Sequence, residues 1–490
     1  MLSTPAISST GVDVLGYEPK AEGEKEIWSA GSSTKAATST TPSLKLSPSV
    51  SRGSAIDDTH EDFKLPDTIS LSLVILGNAL LQMSFYIVVS SANAYADHLG
   101  GTPTFSGLVI GIPSLIAGLT LFPMVKFDQG RYKIPLTAGY GLLCLGNILY
   151  GLAYHANFLY LIFIGRFVSG LGFIALMYCK RYCSDPRIVG VRRRTTLAGF
   201  LVMGQGLGFT AGPFLGGVLY KIGFPNTVFN GLTSPGWLFA IIWAIYFVAN
   251  GVFFKDIRPS PTHPHDISSP PTSHEPEVSI SSPSTSFDDT EYRRPTSLRQ
   301  WGVIALMMWY AMTCFLVLGA WESNIPVYTE AIFGYDPFRA GNFIALGGVA
   351  TFPFLILNVF YARYLQDRVI LACGVSLGLA GQFIMLALVN TNKVTFGSFY
   401  VCWFIVALGF NLASTCTLSL LSKLLPPSWN SVISLAIQNS NLTGRVAGAV
   451  LGGSGVKIGI SNFLGLQIAV VGIGLVMQIT LWRDLKAKTG

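Results

Sequence analysis

The chain has 490 residues, of which 50% are hydrophobic and 12% charged, against a charged fraction of about 25% in soluble domains. So few charges cannot cover a water-soluble protein of this length. Seven scattered cysteines make no disulfide framework, and the 52 glycines follow no three-residue period. The class that remains is a multi-span membrane protein. Its net charge of +7 is read from where the positive residues lie, not as affinity for nucleic acid.

Residues 1–67 are rich in Ser, Thr, Ala and Gly without apolar periodicity and read as a disordered cytosolic tail. No apolar stretch follows a basic start, so no cleavable signal peptide is expected. Apolar runs then predict helices near 68–92, 104–125, 134–155, 158–180, 195–220 and 235–254. Six more follow near 301–322, 340–362, 369–390, 396–420, 430–453 and 460–482, each close to the roughly 20 residues needed to cross hydrocarbon. Between the two sets, residues 255–300 carry Pro259, Pro261, Pro264, Pro270, Pro271, Pro276, Pro283 and Pro295 among many serines, the composition of a polar cytosolic linker. The expected organisation is an all-α membrane protein of twelve helices, with one six-helix bundle over 68–254, a second over 301–482, and a short tail over 483–490. β-barrel strands, about ten residues with alternating polarity, are not what these runs look like.

Positive residues sort by side. With the N-terminus in the cytosol, cytosolic connections carry Lys126, Arg131, Lys133, Lys180, Arg181, Arg187, Arg192, Arg193, Arg194, the linker cations, Arg363, Arg368, Lys423, Arg483, Lys486 and Lys488. The opposite connections carry Lys221, Arg339, Lys393 and Lys457. The positive-inside rule then places both termini in the cytosol.

Four stretches carry the functional reading. The connection Phe127-Asp128-Gln129-Gly130-Arg131-Tyr132-Lys133 combines an acid, a turn-permitting glycine and basic anchors. In the fourth span, Arg166 stands in apolar sequence ahead of Gly170 and Gly172. A cation there is costly unless it faces a cavity or a partner. The fifth span sets Gly208, Gly212 and Gly216 four residues apart, with Pro213 among them, a face that admits a close neighbour and a kink. Near the end, Leu421-Ser422-Lys423-Leu424-Leu425-Pro426-Pro427 is followed by Asn441-Leu442-Thr443-Gly444-Arg445, which holds a second intramembrane arginine.

The Asp128–Lys133 connection, the Gly165-Arg166 helix and the Gly208–Gly217 helix resemble motifs of the major facilitator superfamily. The spacing of Asp128 to Gly130 departs from the family's by one residue. Asn230-Gly231-Leu232-Thr233-Ser234-Pro235-Gly236-Trp237 and the 421–448 region resemble the branch holding the vacuolar SPX-domain phosphate transporters and a lysosomal transporter linked to storage disease. Residues 1–65 are too short and irregular for an SPX domain. The resemblance implies a secondary transporter working by rocker-switch alternating access in a vacuolar or lysosomal membrane, with a plasma-membrane location left open. It also implies gating or packing roles for Asp128, Gly130, Arg131, Gly208, Gly212, Pro213 and Gly216.

Substrate-binding candidates are polar residues on spans that can face a central cavity: Asn78, Gln82 and Tyr86 at four-residue spacing, Arg166, Gln205, Asn411, and Gln438, Asn441 and Arg445 at spacings of three and four. Glu322, at the far end of the expected seventh span, is the candidate proton-coupling group. Two buried arginines with few acids favour a small anionic solute such as phosphate, chloride or a carboxylate metabolite. The alternatives are an anion conductance and a proton-coupled antiporter or exporter of neutral or drug-like organic solutes. Expected partners are membrane lipid, the solute and protons, with the chain a monomer and no nucleic acid bound. Six scattered histidines make no metal cluster, Cys179 and Cys183 read as packing residues, and no enzyme chemistry, metal or cofactor is expected.

Overall fold

The computed structural model describes residues 65–127, 130–185, 187–256, 298–361, 365–425 and 429–486. The expected tail up to residue 64, most of the linker and the last four residues lie outside the described residues, as does Asp128. The regular elements described are α1 (Thr68–Tyr86), α2 (Ala92–His98), α3 (Pro103–Phe127), α4 (Lys133–Leu152), α5 (Leu159–Gly172), α6 (Ala175–Ser184), α7 (Val191–Ile222) and α8 (Ser234–Phe253). They continue with α9 (Leu298–Phe333), α10 (Pro337–Tyr361), α11 (Asp367–Asn390), α12 (Phe396–Leu424), α13 (Asn430–Ile458) and α14 (Ile460–Thr480).

Local chemistry explains where several of them start and stop. The Asp67 carboxylate accepts from the Ser70 backbone N–H at 3.2 Å and caps α1. The first span breaks after Tyr86, where β-branched Ile87, Val88 and Val89 meet Ser90 and Ser91. The expected helix over 68–92 is therefore α1 plus α2. The fourth span likewise breaks at Phe173–Ile174 into α5 and α6. The seventh runs well past its expected end at 322, so Glu322 lies about three turns inside α9. Gly459, at φ +88°, alone separates α13 from α14, a tight reversal that a glycine makes without strain.

Among the described residues, eleven helical stretches are long and apolar enough to cross a membrane, where twelve were expected. The exception is α13. At 29 residues it is long enough, but Gln438, Asn439, Asn441 and Arg445 make it too polar to count by composition.

The helices pack as two related halves. In the first, α1 lies along α7 and α4 packs on α5 and α8. In the second, α9 lies along α13 and α11 packs on α12 and α14. The halves meet where α3 runs against α13 and α7 against α10. The repeat extends to the ion pairs. Lys255–Asp67, at 2.7 Å, ties the end of α8 to the start of α1, and Arg299–Asp484, at 3.6 Å, ties the start of α9 to the residues after α14. These pairs mark one end of the molecule, called here the N-terminal face.

Glycine seams set the closest approaches. Cβ atoms at Gly208 and Gly212 would lie 2.5 Å and 2.7 Å from the Cβ atoms of Gln82 and Tyr86 on α1. Gly444, Gly448 and Gly452, also four apart, bring α13 against the backbone carbonyls of Met312, Leu316 and Ala320 on α9. The expected stripe on α7 thus has a counterpart on α13. In both, missing side chains allow backbone-to-backbone contact, which drives helix association where lipid offers no hydrophobic contrast.

Candidate functional site

Gly319 on α9 admits the backbone of Arg445, whose carbonyl would lie 3.0 Å from a Cβ there. Glu322 sits one turn further on. The Arg445 Nη2 donates to both Glu322 carboxylate oxygens, at 3.1 and 3.0 Å, and also to the Tyr86 hydroxyl of α1. One guanidinium therefore binds a carboxylate of its own half and a phenol of the other. Its carbon also lies over three aromatic rings, 5.3 Å from Phe85, 5.1 Å from Tyr86 and 5.4 Å from Phe315, at cation–π distance. Glu322 is 2% exposed. It is not a charge at the far surface, because α9 continues beyond it.

This junction borders a cavity of about 150 Å³ between the halves. Arg445, Gln438 and Asn441 of α13, Gln82 of α1, Gln205 of α7 and Ser114 of α3 line it, with Phe85, Phe173 and Phe315 as apolar walls. The Arg445 Nε and the Asn441 Oδ1 are buried without a hydrogen-bond partner among the described residues. The polar stripes expected on the first and eleventh spans do converge here. Three expected residues are placed otherwise. Asn78 is fully buried beside α7, donating to the Leu201 carbonyl at 2.8 Å and accepting from Gln205 at 3.3 Å. Asn411 turns back on its own helix, bonding the Ala407 carbonyl at 2.7 Å. Arg166 is 1% exposed and stands behind Phe85, its guanidinium carbon 5.6 Å from that ring. Its bonds to the Val109 and Phe85 carbonyls are long, 3.3 and 3.5 Å, against about 2.9 Å for a good N–H···O bond. Asp128 lies outside the described residues.

Lys180, near the end of α6, also lines the cavity. Sequence reasoning had counted it among the loop cations. Among the described residues it has no carboxylate partner. The fourteen-residue spacing from Arg166 is no guide to its direction, because the helix breaks between them at Phe173–Ile174. The charge balance changes accordingly. Arg445 is matched by Glu322, whereas among the described residues neither Arg166 nor Lys180 has a carboxylate partner.

On the N-terminal face, Gly130 takes φ +74°, as a tight turn requires, and its carbonyl accepts from Arg187 at 3.0 Å. Arg131 beside it is exposed. Asp185 accepts from the Tyr132 hydroxyl at 2.7 Å and from the Arg187 side chain at 2.6 Å. Burial alone would raise the Asp185 carboxyl. The bonds from Arg187 and Tyr132 outweigh it and hold the group below the usual carboxylate range. The second half repeats the device where Lys423 pairs with Asp367 at 3.0 Å. On the opposite face the halves touch directly: Ser454 meets Thr104 at 3.2 Å, Asn93 donates to Glu330 at 2.7 Å, and a Cβ at Gly217 would lie 3.0 Å from the Phe338 Cα.

Comparison with known proteins agrees with this architecture. An uncharacterised MFS-type transporter of Schizosaccharomyces pombe is 31% identical over 435 residues, covering 87% of this chain and 84% of that protein. An SPX domain-containing membrane protein of Arabidopsis thaliana is 36% identical over 186 residues, 38% of this chain and 26% of that one. Among solved structures, a POT family transporter in complex with a thioalcohol-conjugated peptide superposes with a TM-score of 0.63 at 13% identity, over 84% of this chain and 96% of that one. An inward-facing bacterial homologue of the human lysosomal transporter Spinster does so with a TM-score of 0.59 at 13% identity, over 86% and 98%. The fold is that of alternating-access secondary transporters and not of an enzyme. The family profile described as Major Facilitator Superfamily matches residues 74–456, and the chain, a multi-pass integral membrane protein, belongs to that superfamily.

Proposed function

We propose that the protein is a proton-coupled carrier of a small organic solute bearing an acidic group, with α13 as the twelfth span between two six-helix halves. The observation that carries this reading is the Glu322–Arg445–Tyr86 junction at the edge of a donor-lined cavity. While Glu322 is ionised it neutralises Arg445. A proton on Glu322 frees the guanidinium for an anion, and by linkage a bound anion raises the proton affinity of Glu322. Proton and acid then travel together. Gln82, Gln205, Gln438 and Asn441 supply neutral hydrogen bonds, and Arg166 and Lys180 supply positive potential. The cavity volume of about 150 Å³ is half the lower end of the roughly 300–1,000 Å³ that holds drug-sized ligands, which supports a small solute over a drug-like one. The fold is shared with a POT family transporter solved with 5-aminolevulinic acid, itself a small organic acid.

An inorganic anion, phosphate or chloride, is the second reading, supported by Arg166 and Lys180, which have no carboxylate partner among the described residues. The excess of Lys and Arg at the N-terminal face supports a cytosolic position for that face. The partial similarities to SPX-domain and Spinster-like proteins support a vacuolar or lysosomal membrane.

The test is uptake into proteoliposomes of small labelled organic acids, phosphate and chloride, with and without an imposed proton gradient. Saturable, gradient-driven uptake of an organic acid is expected. Glu322→Gln should lose the gradient-driven part yet keep solute exchange, and Arg445→Ala or Arg166→Ala should lose both while the protein stays inserted. Gradient-driven uptake that survives in Glu322→Gln would sink the coupling assignment. Chloride current without a coupling ion would replace the carrier with a conductance.

A further inference from the structure

From the position of Lys180 we infer that the cavity recognises a solute with two anionic groups, one held at Arg445 and the other at Lys180. The inference rests on the acidic-solute reading and narrows it to short dianions.

Three observations carry it. First, Lys180 and Arg445 line the same cavity from opposite halves, and among the described residues Lys180 has no carboxylate to satisfy it. A lysine held between membrane-spanning helices without a counter-charge is costly. An anionic ligand removes that cost. Second, the two cations stand apart in the cavity wall, Arg445 on α13 of one half and Lys180 on α6 of the other, seven residues past Phe173, whose ring packs 5.7 Å from Phe85. A short carbon chain with an acid at each end spans such a gap, given the reach of the lysine side chain. Phosphate, with its charge at one centre, does not. Third, the volume of about 150 Å³ lies below the roughly 300–1,000 Å³ of sites for drug-sized ligands, a size that suits a short diacid. The break at Phe173–Ile174 between α5 and α6 sets the direction of α6 independently of α5.

The experiment compares succinate with butyrate, equal in carbon count and differing by one carboxylate. The purified full-length protein is reconstituted in liposomes with a proton gradient, and KM is measured for each labelled acid. In the wild type, succinate should have the lower KM by about tenfold or more, the value of one charge-assisted contact. Lys180→Gln should raise the succinate KM about tenfold or more and the butyrate KM by much less, so that the preference is lost, and Lys180→Arg should preserve the preference. An equal KM for both acids in the wild type, a preference that persists in Lys180→Gln, or an equal loss for both acids in that variant would overturn the inference while leaving the acidic-solute reading in place. Transport of neither acid by the wild type would overturn both.

Discussion

Asp185 binds three things at once: the Tyr132 hydroxyl, the Arg187 backbone N–H and the Arg187 guanidinium. Its folded-state pKa lies below the ordinary value, so its contribution to stability is complete above about pH 4 and is lost as pH falls through the lower folded value. Asp185→Asn should therefore lower thermal stability in detergent by the same amount at pH 7 and pH 5, in the lower half of about 1–3 kcal/mol because Arg187 is part-exposed. A difference that vanished by pH 5 would show the carboxylate already protonated there. At this scale the sequence was legible where spacing repeats. Gln438, Asn441 and Arg445 share a helical face and do line the cavity. It was not legible where a residue's company misleads. Lys180 precedes Arg181 and so reads as part of a loop, and the amide of Asn411 gives no sign that it bonds its own helix.

Helices α7 and α13 show how far a small-residue pattern can be trusted. The α7 stripe was readable because Gly208, Gly212 and Gly216 are strictly periodic beside Pro213. The α13 stripe has the same period, yet the polar residues around it drew attention to the cavity instead. Both press backbone on backbone. A Cβ at Gly448 would lie 2.8 Å and 2.9 Å from the carbonyl carbon and Cα of Leu316, and backbone cannot yield as a side chain can. Gly448→Leu should push α13 off α9, separate Arg445 from Glu322, and cost 1–3 kcal/mol or more, about what overpacking costs. Gly199→Leu, where nothing lies within 4 Å, should be tolerated. Equal melting temperatures for the two variants would count against the seam. The break between α5 and α6 had no sequence signal of this kind, because Phe173 and Ile174 suit a continuous apolar helix.

For the whole molecule, alternating access requires the halves to part on the face where they now touch. Ser454 and Thr104 meet there across α13 and α3, 3.2 Å apart. Thr104→Cys combined with Ser454→Cys should form a disulfide under oxidation that halts transport, with recovery on reduction and no effect of oxidant on either single variant. Undiminished transport by the fully crosslinked protein would rule out separation at this contact. The overall architecture was legible because apolar length, a proline-rich interruption and charge asymmetry all record the membrane itself. The relation between the halves was not, because it depends on tertiary approach. The polarity of α13 has a consequence for biogenesis. A segment carrying Gln438, Asn441 and Arg445 has little tendency of its own to leave the insertion machinery for lipid. It is joined through Gly459 alone to α14, which is apolar enough to enter, and its partner Glu322 belongs to a helix synthesised earlier. With α13 as the twelfth span proposed above, the last two helices are expected to enter as one hairpin, the second bringing in the first, so that the cavity closes only when Arg445 reaches Glu322.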